Sequence, residues 1–320
     1  MLTRLESKGG FKVIIAGTGE EVEAPAIKSK MDFKAVRAYR RLLKRYRPDL
    51  TFSVSTSGLS VMLLASVGLK IANVGYRGTQ ARVRRTDPFN YLALLNPRVS
   101  HVICETGDIQ DTLGKLIGPK KVSTATKPYC MEWAAEAIND PLPYPGKNPE
   151  SLKLVTVGMF EGRPHKGLGI LLNAMKLLEN LPIELTVIGK VDSADEKDAP
   201  SSVTFTGPSN DALRLMAPHD IYVLPSLRDA SPRTLREAQA LGIPCIVSDI
   251  PGARDLIVNG KTGFLVAPND PDALAREIKK FLNDKASISR IGVEARQHIE
   301  KNFSMEDYVT HHEKLFKSIK

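Results

Sequence analysis

Apolar residues in this chain fall into short unbroken runs, separated by stretches where they recur at helical spacing. In the first half the runs are FKVIIAG, LTFSVST, KIANVGY and HVICET, which read as buried strands, with helical patterning over residues 34–46 and 58–67. In the second half they are LKLVTVG, IELTVIG, VTFTG, DIYVLP, PCIVSD and GFLVAP, with helices expected near 168–178, 212–217, 234–241 and 272–283. Strand-like runs alternating with amphipathic helices predict an α/β chain built on parallel sheets. Between the two series, DPLPYPGKNPES (140–151) packs four prolines and a glycine into twelve residues, a composition that suits a linker. Two Rossmann-like domains facing a cleft are therefore expected, the first over 1–147 and the second over 148–302. Ligands of such sheets bind beyond the strand C-termini.

The totals narrow the class. At 320 residues, 42 % hydrophobic and 25 % charged, the chain has the balance of a globular protein with a sizeable core. It holds no run of about 18 uncharged apolar residues, and the opening MLTRLESKGG lacks the apolar stretch of a signal peptide. Cys104, Cys130 and Cys245 are odd in number and widely spaced, which predicts reduced core thiols in a cytoplasmic protein. The net charge of +9 asks for an anionic partner, and its excess is concentrated in AVRAYRRLLKRYRPD and RGTQARVRR. No zinc-finger or RNA-binding signature interleaves with those charges, which argues against nucleic acid. A solvated helix face is the competing reading of the first cluster.

The candidate chemistry lies between Leu224 and Asp270. Strand DIYVLP ends at Pro225 and a polar loop follows. Pro232 suits the first turn of a helix beginning near Arg233, whose exposed amides make an anion site. Asp229 lies in the loop and Glu237 eight positions later, about one turn into the helix.

This stretch resembles the signature of retaining glycosyltransferase family 4, whose fold is called GT-B: an acidic residue, seven residues, Glu-Ala, a small residue, Gly and Pro, then a strand, a Gly-rich turn and a Gly-Phe-Leu strand. The resemblance implies that Glu237 holds a nucleotide ribose and that Asp229 contacts the transferred sugar. Arg233 and Thr234 would then approach the sugar and diphosphate. A second block, LVTVGMFEGRPHKGLGILLNAMKLL, resembles the family segment in which a strand ends in Val-Gly (here Gly158) and a Lys-Gly pair opens a helix. Lys166 would neutralise the diphosphate. Met159 stands where the family usually has Arg, leaving Arg163 to reach the same phosphates, and Asp229 replaces the usual Glu.

VGYRGTQARVRRTDPFNYLALL resembles the acceptor-side domain, with the family's first strand and Gly-rich loop missing before Phe11. Residues 303–320 resemble the final helix that returns to that domain. The implied activity is transfer from a nucleoside diphosphate sugar to an acceptor hydroxyl with retention, in polysaccharide or lipopolysaccharide biosynthesis, with no cofactor or metal required. The acceptor would be a glycan or lipid-linked glycan lying near Arg77, Arg82, Arg84 and Arg85. The same basic loop suits a peripheral contact with the inner face of the membrane. Two rival classes stay open: a catalytically silent sugar-nucleotide-binding or partner protein of the same fold, and a nucleotide-sugar epimerase.

Overall fold

The structure is a computed structural model that describes residues 5–6, 10–148 and 150–319. Most of the opening MLTRLESKGG, where no signal peptide is expected, lies outside those residues. The chain divides into two compact units: residues 1–128 with 305–320, and residues 129–304.

The first unit runs β1 (Ala16–Gly17), β2 (Val22–Glu23), α1 (Phe33–Tyr46), β3 (Leu50–Ser53), α2 (Thr56–Ala65), β4 (Ala72–Arg77), α3 (Pro88–Tyr91), β5 (Val99–Cys104), α4 (Gly107–Ile117) and β6 (Val122–Thr124). Strands β3-β4-β5-β6 form one parallel sheet in chain order, and β1 and β2 pair separately. Its helices start where the sequence supplies caps: Asp32 Oδ1 accepts from Ala35 N at 3.0 Å and Ser55 Oγ from Gly58 N at 3.0 Å. Leu59, Leu63, Val99, Val102 and Leu113 form a core on one side of this sheet.

The strand expected over FKVIIAG shrinks to Ala16–Gly17. Residues 11–15 have no place in either ladder, and Phe11 and Val13 instead pack on a cluster with Val74, Tyr76 and Ile103. Burial of side chains satisfies the apolar pattern there without strand pairing, apart from Ile15 O, which accepts from Val22 N at 3.0 Å.

The second unit runs α5 (Met131–Asn139), β7 (Leu152–Val157), α6 (Leu168–Leu177), β8 (Ile183–Ile188), α7 (Ser193–Asp198), β9 (Val203–Gly207), α8 (Ala212–Met216), β10 (Ile221–Leu224), α9 (Arg233–Ala240), β11 (Cys245–Ser248), α10 (Pro251–Arg254), β12 (Gly263–Val266), α11 (Pro271–Asn283) and α12 (Lys285–Asn302). All six expected strands form, in the parallel order β12-β11-β10-β7-β8-β9. That order reverses direction between β7 and β10, so the crevice beyond their C-terminal ends is the sheet's switch point. Leu154, Leu171, Leu185 and Ile278 pack one face of the sheet, and Tyr222, Leu235, Val247 and Ile299 the other. The last helix, α13 (Met305–Ile319), belongs to the first unit, where Val309 and Phe316 join the cluster of Val74 and Ile103.

The proline-rich segment expected as a linker lies inside the second unit, and the chain changes unit at Pro128–Tyr129. Prolines keep residues 140–148 out of helix and strand, but backbone and side-chain bonds strap them down. Leu142 N donates to Arg214 O at 3.1 Å, Arg214 pairs with Asp140 at 2.6 Å, and Tyr144 OH donates to Glu184 Oε2 at 2.9 Å. The thiols also depart in part from expectation. Cys104 and Cys245 are buried, and burial pushes the Cys104 thiol up to about 12. Cys130 is only half-buried and donates to Glu132 Oε2 at 2.9 Å.

Candidate active site

Strands β7 and β10 are hydrogen-bonded neighbours, with Ile221 paired to Leu154 and Tyr222 to Val155. Each ends in a loop at the switch point. The loop after β7 passes Gly158 and Met159 to a single 3₁₀ turn, Pro164–Lys166, and then enters α6. The loop after β10 runs from Pro225 to Pro232 and enters α9. A backbone bond from Leu227 N to His165 O, 2.8 Å, ties the two loops together.

Across that tie, Lys166 Nζ donates to Asp229 Oδ2 at 2.7 Å, and both side chains are partly buried. A pair in this setting is screened less than a surface pair, so its charges are available to a ligand entering the crevice.

The lysine reaches that point because the chain turns sharply at the next residue. Gly167 has φ +75°, and a Cβ there would lie 2.0 Å from Pro225 O. Only glycine lets α6 start this close to the end of β10. Gly189, at the end of β8, plays the same part for the first loop: its φ is +136°, and a Cβ would lie 1.8 Å from Gly158 O.

Helix α9 begins at Arg233, as expected. Pro232 sits one position before it, as the capping residue with φ −67° and ψ 114°. Pro232 supplies no side-chain cap of its own. The first-turn amides and the positive end of the helix dipole therefore face the loop that carries Asp229. One turn in, Glu237 is buried and accepts from Arg233 Nε at 2.7 Å, while Arg233 itself is largely exposed. The Thr234 hydroxyl shares a 2.6 Å hydrogen bond with Tyr222 OH, which directs it toward the buried strand.

Two residues with no motif around them join this group. Tyr129, where the chain enters the second unit, is buried beside Glu237 and Arg233, and burial followed by the Glu237 charge pushes its phenol well above the usual range. Ser226 is fully buried directly after Pro225. Among the described residues neither hydroxyl has a hydrogen-bond partner. Tyr222, buried in mid-strand, is the third side chain that the spacing of motifs did not pick out.

Arg163 is exposed and makes no ion pair or side-chain hydrogen bond among the described residues. In the first unit, Arg77 is half-buried and spent on its own loop, donating to Ala81 O at 2.6 Å, and burial lowers its pKa. Arg82, Arg84 and Arg85 are exposed, and Arg85 donates to Leu116 O at 3.2 Å.

Residues 144–302 match the model of the family described as glycosyl transferases group 1. A capsular polysaccharide biosynthesis glycosyltransferase of Staphylococcus aureus, CapM, is 30 % identical over 149 residues, which are 43 % of this chain and 39 % of that protein. The chain thus spans about two fifths of that relative's length. Among solved structures, a glycosyltransferase from Rickettsia africae aligns with TM-score 0.76 at 17 % identity, covering 89 % of this chain and 80 % of its own. Alr3699/HepE from Anabaena, crystallised in complex with UDP, also aligns with TM-score 0.76 at 17 % identity, covering 93 % and 86 %. These likenesses show the fold, which is the GT-B fold expected from the sequence.

Proposed function

The second unit of this chain belongs to the group 1 glycosyl transferases, and from that premise we propose that the protein moves a sugar from a nucleoside diphosphate sugar to an acceptor hydroxyl on a glycan or lipid-linked glycan. The observation that carries this reading is the convergence of Lys166, Asp229 and the start of α9 on the switch point of one parallel sheet. Transfer requires a departing diphosphate to be stabilised as its charge grows. Lys166 and the first amides of α9 supply fixed positive charge for that purpose. In this reading Glu237, one turn further on, would hold the ribose, and Asp229 would meet the sugar.

In the free protein Asp229 occupies the ammonium that the diphosphate would use. Donor entry therefore exchanges one carboxylate for a phosphate and releases Asp229 toward the sugar. We read the transfer as retaining and assign no protein nucleophile. On the first unit, Arg82, Arg84 and Arg85 offer charge to an anionic acceptor.

A thermal-shift panel of UDP-, GDP-, ADP- and dTDP-sugars on the wild type and on Glu237→Ala tests the reading. A donor-specific rise in melting temperature that the variant lacks is the expected outcome. No shift with any sugar nucleotide would remove the transferase reading. A shift without donor consumption in the presence of glycan acceptors would leave a silent binding protein.

A further inference from the structure

Two cations of the second unit are each held by a carboxylate: Lys166 by Asp229 and Arg233 by Glu237, both at 2.7 Å. The two pairs differ in where they keep their charges. Lys166 and Asp229 are both partly exposed. In the second pair the guanidinium side chain is 72 % exposed and the carboxylate only 10 %. Arg233 is also the first residue of α9, where the helix dipole presents its positive end and disfavours a cation. An anion arriving at that helix start therefore competes well for Arg233. Its success leaves Glu237 behind as a buried carboxylate without its cation. A buried charge that loses its partner is strongly destabilising, so Glu237 then needs another donor.

Tyr129 is such a donor. It is nine-tenths buried, and among the described residues its hydroxyl has no hydrogen-bond partner. No existing bond has to break to recruit it. Its place is fixed by backbone and ring together: Tyr129 N donates to Phe303 O at 3.0 Å, and the Trp133 ring meets it edge-on with centroids 6.2 Å apart. Burial, and after it the Glu237 charge, push the phenol well above its usual range, so the proton stays on the oxygen. Arg233 acts on the same phenol in the opposite sense, which puts all three side chains within electrostatic reach of one another. A native hydroxyl buried without a partner calls for a functional account.

We propose that Tyr129 is the positioning residue for Glu237 in the loaded site: as the donor diphosphate draws Arg233 away, the Tyr129 hydroxyl donates to the Glu237 carboxylate and holds it toward the ribose. The exchange rests on the donor reading above and adds a partner that no motif marks. It also makes ribose recognition depend on Tyr129. A carboxylate fixed to accept from a ribose hydroxyl discriminates against a ligand that lacks it, whereas a loose one turns elsewhere.

Titration calorimetry of UDP and 2′-deoxy-UDP into the full chain tests this, with the wild type, Tyr129→Phe, Glu237→Gln and the double variant compared. Tyr129→Phe keeps the ring and removes only the hydroxyl. It should bind UDP about 10-fold or more weakly, the worth of one hydrogen bond to a charged group. Its preference for UDP over 2′-deoxy-UDP should narrow, which a merely structural ring would not cause. In the double variant the loss should be no deeper than in Glu237→Gln alone, because the phenol acts through that carboxylate. Without ligand, Tyr129→Phe should melt at or above the wild-type temperature, since the hydroxyl it lacks has no partner there. The proposal falls if Tyr129→Phe binds UDP as the wild type does with the same preference, if the two losses add in the double variant, or if Tyr129→Phe alone lowers the melting temperature. A wild type that does not bind UDP would contradict the donor site and this proposal together, whereas a binding wild type beside an unaffected Tyr129→Phe ends this proposal alone.

Discussion

Lys166 and Asp229, 63 positions apart in the chain, meet at 2.7 Å where the second sheet reverses its strand order. Each is delivered by a neighbouring strand, Lys166 after β7 and Asp229 after β10, so the contact is set by the sheet itself. A single ammonium is thereby shared between an internal carboxylate and any anion that enters.

That sharing separates binding from transfer. Asp229→Asn removes the competing charge, so UDP should bind about 3- to 10-fold more tightly while sugar transfer falls. The estimate takes about 1 kcal/mol for a partly exposed pair. Calorimetric titration and a donor-consumption assay on the same preparation check both halves. Weaker UDP binding by Asp229→Asn would mean that the pair assembles the site instead of guarding it.

Gly167 sets the position of Lys166, and its replacement should be costly. Gly167→Ala puts a Cβ 2.0 Å from Pro225 O in a backbone with φ +75°. A loss of about 3 kcal/mol or more is expected, because backbone must move on both sides of the contact. Gly162→Ala is the control: it also has positive φ, +63°, but its Cβ meets nothing within 4 Å. Urea unfolding of the two variants should separate strain alone from strain plus collision. Equal losses would remove the packing argument.

Tyr222→Phe deletes one partner of the 2.6 Å bond to Thr234. Leaving that hydroxyl without its partner beside a fully buried ring should cost about 1–3 kcal/mol. Donor affinity should change little, since the Thr234 hydroxyl is turned to Tyr222. Paired melting and titration data check this, and a large affinity loss at unchanged stability would place the Thr234 hydroxyl in the site.

Acid should destabilise the chain before its carboxylates titrate. Burial pushes His101, His219 and His312 down to about 4, whereas the unfolded chain titrates near 6.5. Their folded pKa values are depressed, so between these limits the unfolded state binds more protons. Stability is fully present above about pH 6.5 and is lost as pH falls toward 4. His219 is held neutral between Met216 O at 3.2 Å and Thr186 Oγ1 at 2.8 Å. His219→Gln, which cannot take a charge, should show a shallower fall in melting temperature between pH 7 and 5. An unchanged slope would mean that this histidine opens to solvent in the folded state.

Strands β7 to β12 were legible because each is a short parallel strand of four to six residues, mostly apolar and, in β7, β8, β10 and β11, largely buried, closed by glycine, proline or a polar turn. The same pattern misled over residues 11–15, where apolar side chains find a core but the backbone forms no strand, and only Ala16–Gly17 pairs, with β2. Helices α5 and α12 were not anticipated. α12 in particular mixes charged and apolar positions over 18 residues without a sharp face. In the site, the spacing from Asp229 to Glu237 is local and readable. The meeting of Lys166 with Asp229 and the burial of Tyr129 beside Glu237 depend on which strands lie side by side, and local spacing carries no record of that.

We hold that the crevice between β7 and β10 binds a nucleoside diphosphate through Lys166. Titration calorimetry of UDP into the wild type, Lys166→Ala and Lys176→Ala tests it most directly. Lys176 is a suitable control because it lies at the far end of α6 in its own ion pair with Asp198. Lys166→Ala should lose about 10- to 100-fold in affinity, the worth of one charge-assisted contact to phosphate, while Lys176→Ala stays at the wild-type value. Equal affinities in all three proteins would contradict the account.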